Sequence, residues 1–263
     1  MFIFNTVVIA THRRSGTQLA IDALRRNSPD ISDTYMSLEQ IETNHDASIP
    51  LVNFRRQLLS LEGQVLINMH DLPTAEHWQG LDERLFVRTI LRNSPIIYVH
   101  RDGRDVLASL YYYMKSISET VRNQSFSQFL HGVMVVANGG DGMSRPAYWA
   151  YHINSWLAKE NLLAVAYRDL ETDYDATVQR MAAFLNVKLN PRLHPVNALG
   201  GPEDDGMIDN VLGRLGVWRR RGGRLDHPRV GKSGDWRRLF DRRDKEFFMK
   251  EAGDTLRDLG YEN

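Results

Sequence analysis

The fold is decided at residues 6–19, Thr6-Val7-Val8-Ile9-Ala10-Thr11-His12-Arg13-Arg14-Ser15-Gly16-Thr17-Gln18-Leu19, written TVVIATHRRSGTQL. Residues 6–10 form an apolar run that passes directly into a polar turn with two arginines and Ser-Gly-Thr. Over residues 17–26 the pattern becomes helical, with Leu19, Ala20, Ala23 and Leu24 on one side. A continuous apolar run fits a strand covered on both faces. A strand feeding a helix through such a turn gathers backbone N–H groups, a positive helix end and a guanidinium around one point. That combination suits an anion.

Three more runs share this character: residues 65–69 (VLINM), 95–99 (PIIYV) and 162–167 (LLAVAY). Helical patterns lie between and after them. Residues 105–115 carry Val106, Leu107, Leu110 and Met114, and residues 175–185 carry Val178, Met181, Ala182 and Leu185. Strands alternating with helices predict an α/β fold, a central parallel sheet flanked by helices. Residues 1–263 read as one domain. The stretches 28–60, 138–150 and 200–231 read as mobile or irregular excursions, the last rich in Gly and Arg.

Composition narrows the function classes. Hydrophobic residues are 42% and charged residues 25% of the chain, as in an ordinary soluble protein. The formal net charge is zero, so no global field calls for a nucleic-acid or membrane partner. With no cysteine, disulfides, thiol catalysis and thiolate metal sites are excluded. The apolar start MFIF reaches His12-Arg13-Arg14 too soon to span a bilayer and lacks the basic start of a leader. The chain is therefore expected to be cytoplasmic. Its oligomeric state is not set by the sequence.

Ligands of open parallel sheets bind beyond the carboxyl ends of the strands. The residues after the four runs are His12 to Thr17; His70 and Asp71; His100, Arg101, Asp102 and Arg104; and Arg168 and Asp169 beside Tyr167. Together they predict a crevice with several cations, a histidine and a helix N-terminus. The first turn is not a Walker A loop, because Gly16 is followed by Thr17-Gln18 and no lysine. No carboxylate cluster suggests a metal. A magnesium-dependent nucleotide kinase is the rival enzyme reading, and a nucleotide-binding module of weakened activity the rival non-enzyme one.

Four segments resemble, in order, the sulfotransferases that use 3′-phosphoadenosine 5′-phosphosulfate (PAPS). RRSGT at 13–17 is similar to the loop that cradles the 5′-phosphosulfate. VHRDGRDVLASLYYY at 99–113 resembles R-[ND]-x-[KR]-D-x-x-x-S-x-[YF]-[YF], whose Arg and Ser hold the 3′-phosphate. NMHDLP at 68–73 resembles K-[TS]-H-x-P, whose histidine is the base, and RVGKSGDW at 229–236 the loop RKGxxGDW that closes over the 3′-phosphate. WAYHINSW at 149–156 and AYRDLETD at 166–173 are weaker matches to W-x-x-H-x-x-x-W and to a YEDL segment.

The resemblance implies a P-loop-like, three-layer fold and a PAPS-dependent sulfotransferase needing no metal. His70 would be the general base, and Arg14 would neutralise charge at the reacting group. Arg13, Arg14, Ser15, Gly16, Thr17 and Gln18 would cradle the donor. Arg101, Ser109, Arg229, Val230 and Gly231 would surround the 3′-phosphate, and Tyr167 would approach the adenosine. The acceptor would be a hydroxyl or amine of a small molecule or carbohydrate. Three positions depart from the family pattern: Leu19 for a stacking Trp, Asn68 for a Lys two before the base, and Val230 for a Lys. His12 is the nearest rival to His70. His100 is expected to pack beside its strand. Tyr111, Tyr112, Tyr113 and Trp149 are assigned first to the core and second to an acceptor pocket.

Overall fold

The computed structural model describes residues 5–41, 48–76, 78–134, 142–196 and 233–262. Five parallel strands, β1 (Thr6–Thr11), β2 (Met36–Ser37), β3 (Val65–Met69), β4 (Ile96–His100) and β5 (Leu162–Ala166), form one sheet in the order β2-β3-β1-β4-β5. The helices in chain order are α1 (Thr17–Asn27), α2 (Leu51–Ser60), α3 (Leu81–Asn93), α4 (Gly103–Ile117), α5 (Glu119–Arg122), α6 (Phe126–His131), α7 (Arg145–Leu157), α8 (Tyr167–Thr172) and α9 (Tyr174–Leu185), followed by a C-terminal helix, Arg242–Asp258.

β1 is the central strand. Val7 pairs with Leu66 of β3 and Ile9 with Ile97 of β4, and every residue of β1 is buried. Alternate side chains enter two separate cores. On one face Val8, Ala10, Ile67 and Tyr98 meet Phe54, Phe86, Trp149, Trp156 and Phe248. On the other Val7, Ile9, Leu66 and Val165 meet Leu19, Leu24, Val178 and Met181. The second face is covered by α1 and α9, the first by α2, α3, α4, α7 and the C-terminal helix. The fold is thus the expected three-layer α/β sandwich. Each large apolar side chain so buried stabilises it by about 1.5–3 kcal/mol.

The layers explain where a ligand fits. The chain leaving β1 enters α1 on one face, whereas the chains leaving β3 and β4 enter α3 and α4 on the other. Connections that part in this way open a crevice at the carboxyl edge beside β1.

All four apolar runs are strands, with ends shifted by at most one residue. β1 continues to Thr11, and β5 stops at Ala166 because Tyr167 opens α8. The 28–60 excursion holds β2, a 3-10 turn at Leu38–Ile41, and α2. β2 has two residues, too short to leave a periodic signal. α7 starts inside the 138–150 stretch, where the Ser144 hydroxyl accepts the Ala147 N–H at 3.3 Å and Pro146 sits in the first turn. The stretch 200–231 lies outside the described residues. Among those described, no helix is long and apolar enough to cross a membrane.

Candidate active site

The turn after β1 is built under backbone constraint. Arg14 has φ 73° and Gly16 φ 102°, with the Ser15 N–H donating to the His12 carbonyl at 3.1 Å. Positive φ is uncommon for a residue with a Cβ. Gly16 is required for a second reason: the Tyr167 ring occupies the space a Cβ would need. Ser15 is 1% exposed, and its Oγ has no partner among the described residues. No side chain caps α1 at Gly16, so the first N–H groups of this 11-residue helix have no side-chain acceptor there. Thr17 Oγ1 shares a hydrogen bond with Thr11 Oγ1 at 2.6 Å. Gln18 is engaged along α1: its Nε2 donates to Asp22 at 2.9 Å, and its Oε1 accepts from the Tyr35 hydroxyl at 3.3 Å.

The two arginines of the turn diverge. Arg13 is 52% exposed and pairs with Glu39 at 2.8 Å. Arg14 donates from Nε to Ser109 Oγ at 3.1 Å, and its guanidinium lies over the Tyr113 ring at 5.3 Å. Arg101 is 6% exposed, stacks on Tyr167 at 4.4 Å, and reaches the Arg14 carbonyl with Nη1 at 3.5 Å. Burial lowers the Arg14 pKa from its ordinary value; Tyr113 opposes that effect and Arg101 adds to it. Arg14, Arg101, Ser109 and Tyr167 are therefore brought together around the turn. Arg229, Val230 and Gly231 lie outside the described residues.

His70 follows β3, the strand paired with β1, next to the end of β1 at Thr11. Its Nδ1 lies 3.2 Å from the Thr11 carbonyl oxygen and 3.0 Å from Thr11 Oγ1. A carbonyl can only accept, so a hydrogen bond to it requires the proton on Nδ1 and the lone pair at Nε2. Among the described residues Nε2 has no hydrogen-bond partner. Burial first, then the charge of Arg13, pushes the His70 pKa down from 6.5 to about 4, against the Thr11 bond and Asp71. The ring is neutral at pH 7.

The rival histidines are occupied otherwise. His12 is buried, with Nδ1 donating to the Arg13 carbonyl at 2.9 Å and its ring edge-on to His152 at 5.3 Å. His100 packs against Tyr261, its Nδ1 2.8 Å from the Tyr261 hydroxyl. Tyr111 and Trp149 are core residues, while Tyr113 is exposed at the mouth under Arg14.

Sequence reasoning missed several members of the site. Thr11 orients His70 and touches Thr17 but ends an apolar strand without a motif of its own. Asp105 is 3% exposed and accepts the N–H groups of Gly234 at 2.7 Å and Trp236 at 3.2 Å, tying the GDW turn to α4. A buried carboxylate on the apolar side of a helix was the available signal. Two of the three departures fall on described residues. Leu19 is a core residue, and Asn68 has a buried Oδ1 without a partner among the described residues. No three His, Asp or Glu side chains among those residues gather as a metal site would need.

Residues 4–199 match the family model of the sulfotransferase domain. The chain is 31% identical over 160 residues to mouse sulfotransferase 2B1, across 58% of this chain and 45% of that protein. It spans less than half the length of that relative. It is 23% identical to flavonol 3-sulfotransferase of Flaveria bidentis, across 90% of this chain and 77% of that one. Among solved structures, mouse sulfotransferase SULT7A1 complexed with PAP superposes with a TM-score of 0.58 at 17% identity, covering 97% of this chain and 86% of that one. On the family match, which takes in most of its length, the chain belongs to the family built on the sulfotransferase domain.

Proposed function

We propose that the protein transfers a sulfuryl group from PAPS to a hydroxyl of a small, largely apolar acceptor, with His70 as general base. The observation that carries this reading is the setting of His70: Nδ1 within hydrogen-bond reach of Thr11, Nε2 without a partner among the described residues, and the ring at the end of β3, the strand paired with β1 whose turn carries Arg14. A proton acceptor and an anion cradle meet at neighbouring strand ends.

The residues fit the donor nucleotide. An orphaned Ser15 hydroxyl, uncapped N–H groups at the start of α1 and a glycine that lets backbone approach all await an anion. Arg101 reaches the Arg14 carbonyl and its charge lowers the Arg14 pKa, so the two cations are close enough to repel, an arrangement a phosphate would stabilise. Arg101 and Ser109 would take the 3′-phosphate, Tyr167 the adenosine, and the 13–17 turn the phosphosulfate. When bound, PAPS supplies an activated sulfuryl group whose S–O bond to phosphate breaks as the acceptor oxygen bonds to sulfur.

His70 takes the acceptor proton at Nε2, and the Thr11 carbonyl supports the imidazolium that forms. A base of pKa about 4 is weak by itself. The negative charge of a bound donor raises it toward the working range. Arg14 stabilises charge developing on the sulfuryl oxygens. An apolar acceptor is favoured by Tyr113, exposed under Arg14, and by Ile117, exposed one turn further along α4. The flavonol in the name of the Flaveria relative is a hydroxyl acceptor of this class. Turnover of isotopically labelled PAPS with a phenol, an aliphatic alcohol, an amine and a monosaccharide tests the proposal, with chelator present. Labelled product from the phenol or the alcohol supports it. Nucleotide binding without any product indicates a binding module, and phosphoryl transfer from magnesium-ATP a kinase.

A further inference from the structure

We propose that His152 is a positioning residue for His70: it donates from Nε2 to the His70 carbonyl oxygen and holds the peptide that carries the reacting ring. This rests on the reading of His70 as the base. His152 sits on α7 and is fully buried. Its Nε2 is 3.0 Å from the His70 carbonyl oxygen, and its Nδ1 is 2.9 Å from the Tyr98 hydroxyl.

The two contacts fix the proton. The carbonyl only accepts, so Nε2 is protonated. In the neutral ring Nδ1 then carries the lone pair, so the Tyr98 hydroxyl must donate to it. Burial, the largest cause, lowers the His152 pKa to about 3, so the ring stays neutral throughout the useful pH range. Tyr98, from the middle of β4, thereby selects the tautomer that can grip the turn after β3.

A second donor lies one turn along the same helix. Trp156 Nε1 donates to the Asp71 carbonyl at 2.9 Å. The i, i+4 pair of α7 thus holds two successive carbonyls of the base turn. Meanwhile Trp149, at i−3, closes on Gly103, where a Cβ would meet its ring at 2.5 Å. One face of α7 clamps the ends of β3 and β4 together. Packing alone does not require this chemistry, since an aliphatic side chain fills a core position without needing two buried partners. His152 has no exposed surface, so it acts on the reaction only through its neighbours, and its hydrogen bond to the turn that carries the reacting ring is the one to His70.

Long-range 15N–1H spectra of the imidazole nitrogens test this on the protein with no donor or acceptor. The wild type should have His152 protonated at Nε2 and His70 at Nδ1. His152 protonated at Nδ1 overturns the proposal outright. In His152→Leu, His70 should lose its single tautomer and titrate nearer pH 6.5, while His152→Gln, which keeps an N–H at the same reach, should retain most of it. Tyr98→Phe, nearly isosteric, should give an intermediate result and serves if His152→Leu does not fold. A His70 spectrum unchanged in these variants refutes the proposal. Single-turnover transfer from PAPS to 2-naphthol supplies the functional arm. His152→Leu should cost roughly ten- to a hundredfold in rate with unchanged nucleotide affinity. The same change in a His70→Asn background should cost nothing further. Equal losses in both backgrounds refute positioning while leaving the base in place. Full turnover by His70→Asn refutes the base, and with it the proposal.

Discussion

The turns after β1 and β3 lie side by side at the carboxyl edge of the sheet, and they are held in opposite ways. The β1 turn is strained, with positive φ at Arg14 and Gly16, and it carries an orphaned Ser15 hydroxyl and an uncapped helix end. The β3 turn is fastened by buried donors, from His152 to the carbonyl of His70 and from Trp156 to that of Asp71. The His70 ring is in turn fixed on Thr11. On the proposed function, one turn would be completed by its ligand, while the other is finished before the ligand arrives. The division suits in-line group transfer, where binding a polyanion and presenting a base in fixed geometry are separate tasks.

Separate tasks predict separable mutants. The largest effect is expected from His70→Asn, which removes the proposed base and should lower turnover by about 10²–10⁴-fold. His12→Asn, which removes a ring packed against His152, should cost far less when both are assayed by steady-state turnover. Next comes Gly16→Ala. A Cβ there combines left-handed strain with overlap against Tyr167, together about 3 kcal/mol, or roughly a hundredfold in nucleotide affinity by calorimetry. Arg101→Ala removes a charge-assisted contact of about 1.5–3 kcal/mol, so affinity for adenosine 3′,5′-bisphosphate should fall at least tenfold. Affinity for a nucleotide lacking the 3′-phosphate should fall less, and equal losses would dissolve the 3′-phosphate assignment.

The smallest effect is on stability. His12, His70 and His100 have pKa values near 4, and His152 near 3, each lowered mainly by burial from 6.5. Between pH 6.5 and 4 the unfolded chain binds more protons at these sites than the folded one, so stability falls as the pH falls through that window. Above pH 6.5 all four are neutral in both states and contribute no such penalty. Each should cost about 2 kcal/mol at pH 5. Thermal denaturation from pH 7 to pH 5 should show a falling midpoint, and His100→Gln should flatten the fall. A midpoint unchanged across that range would mean the rings are not held neutral by burial.

The sheet was legible because β1, β3 and β4 are buried along nearly their whole length and so write themselves as unbroken apolar runs, and β5 reads the same way although only Val165 and Ala166 of it are buried. β2 was not, because two residues cannot display a period. The polar residues at the strand ends were legible as a set for the same reason: a strand buried to its last residue makes the next polar residue conspicuous. What stayed hidden was how they share the work. Arg13 and Arg14 are adjacent in sequence yet engage Glu39 and Ser109 respectively, a divergence produced by the positive φ at Arg14. The Tyr98–His152–His70 connection joins β4, α7 and the end of β3 across 82 residues of chain between its histidines, and no local pattern encodes a contact of that range.

The central claim is that one turn binds and its neighbour reacts, and a crossed experiment tests it most directly. Single-turnover transfer from saturating labelled PAPS and the dissociation constant of adenosine 3′,5′-bisphosphate are measured together on wild type, His70→Asn and Gly16→Ala. The account predicts that His70→Asn loses about 10²–10⁴-fold in rate with affinity within about twofold of wild type. It predicts that Gly16→Ala loses roughly a hundredfold in affinity while keeping most of its rate once saturated. Loss of both properties in both variants, or a full rate in His70→Asn, would contradict it.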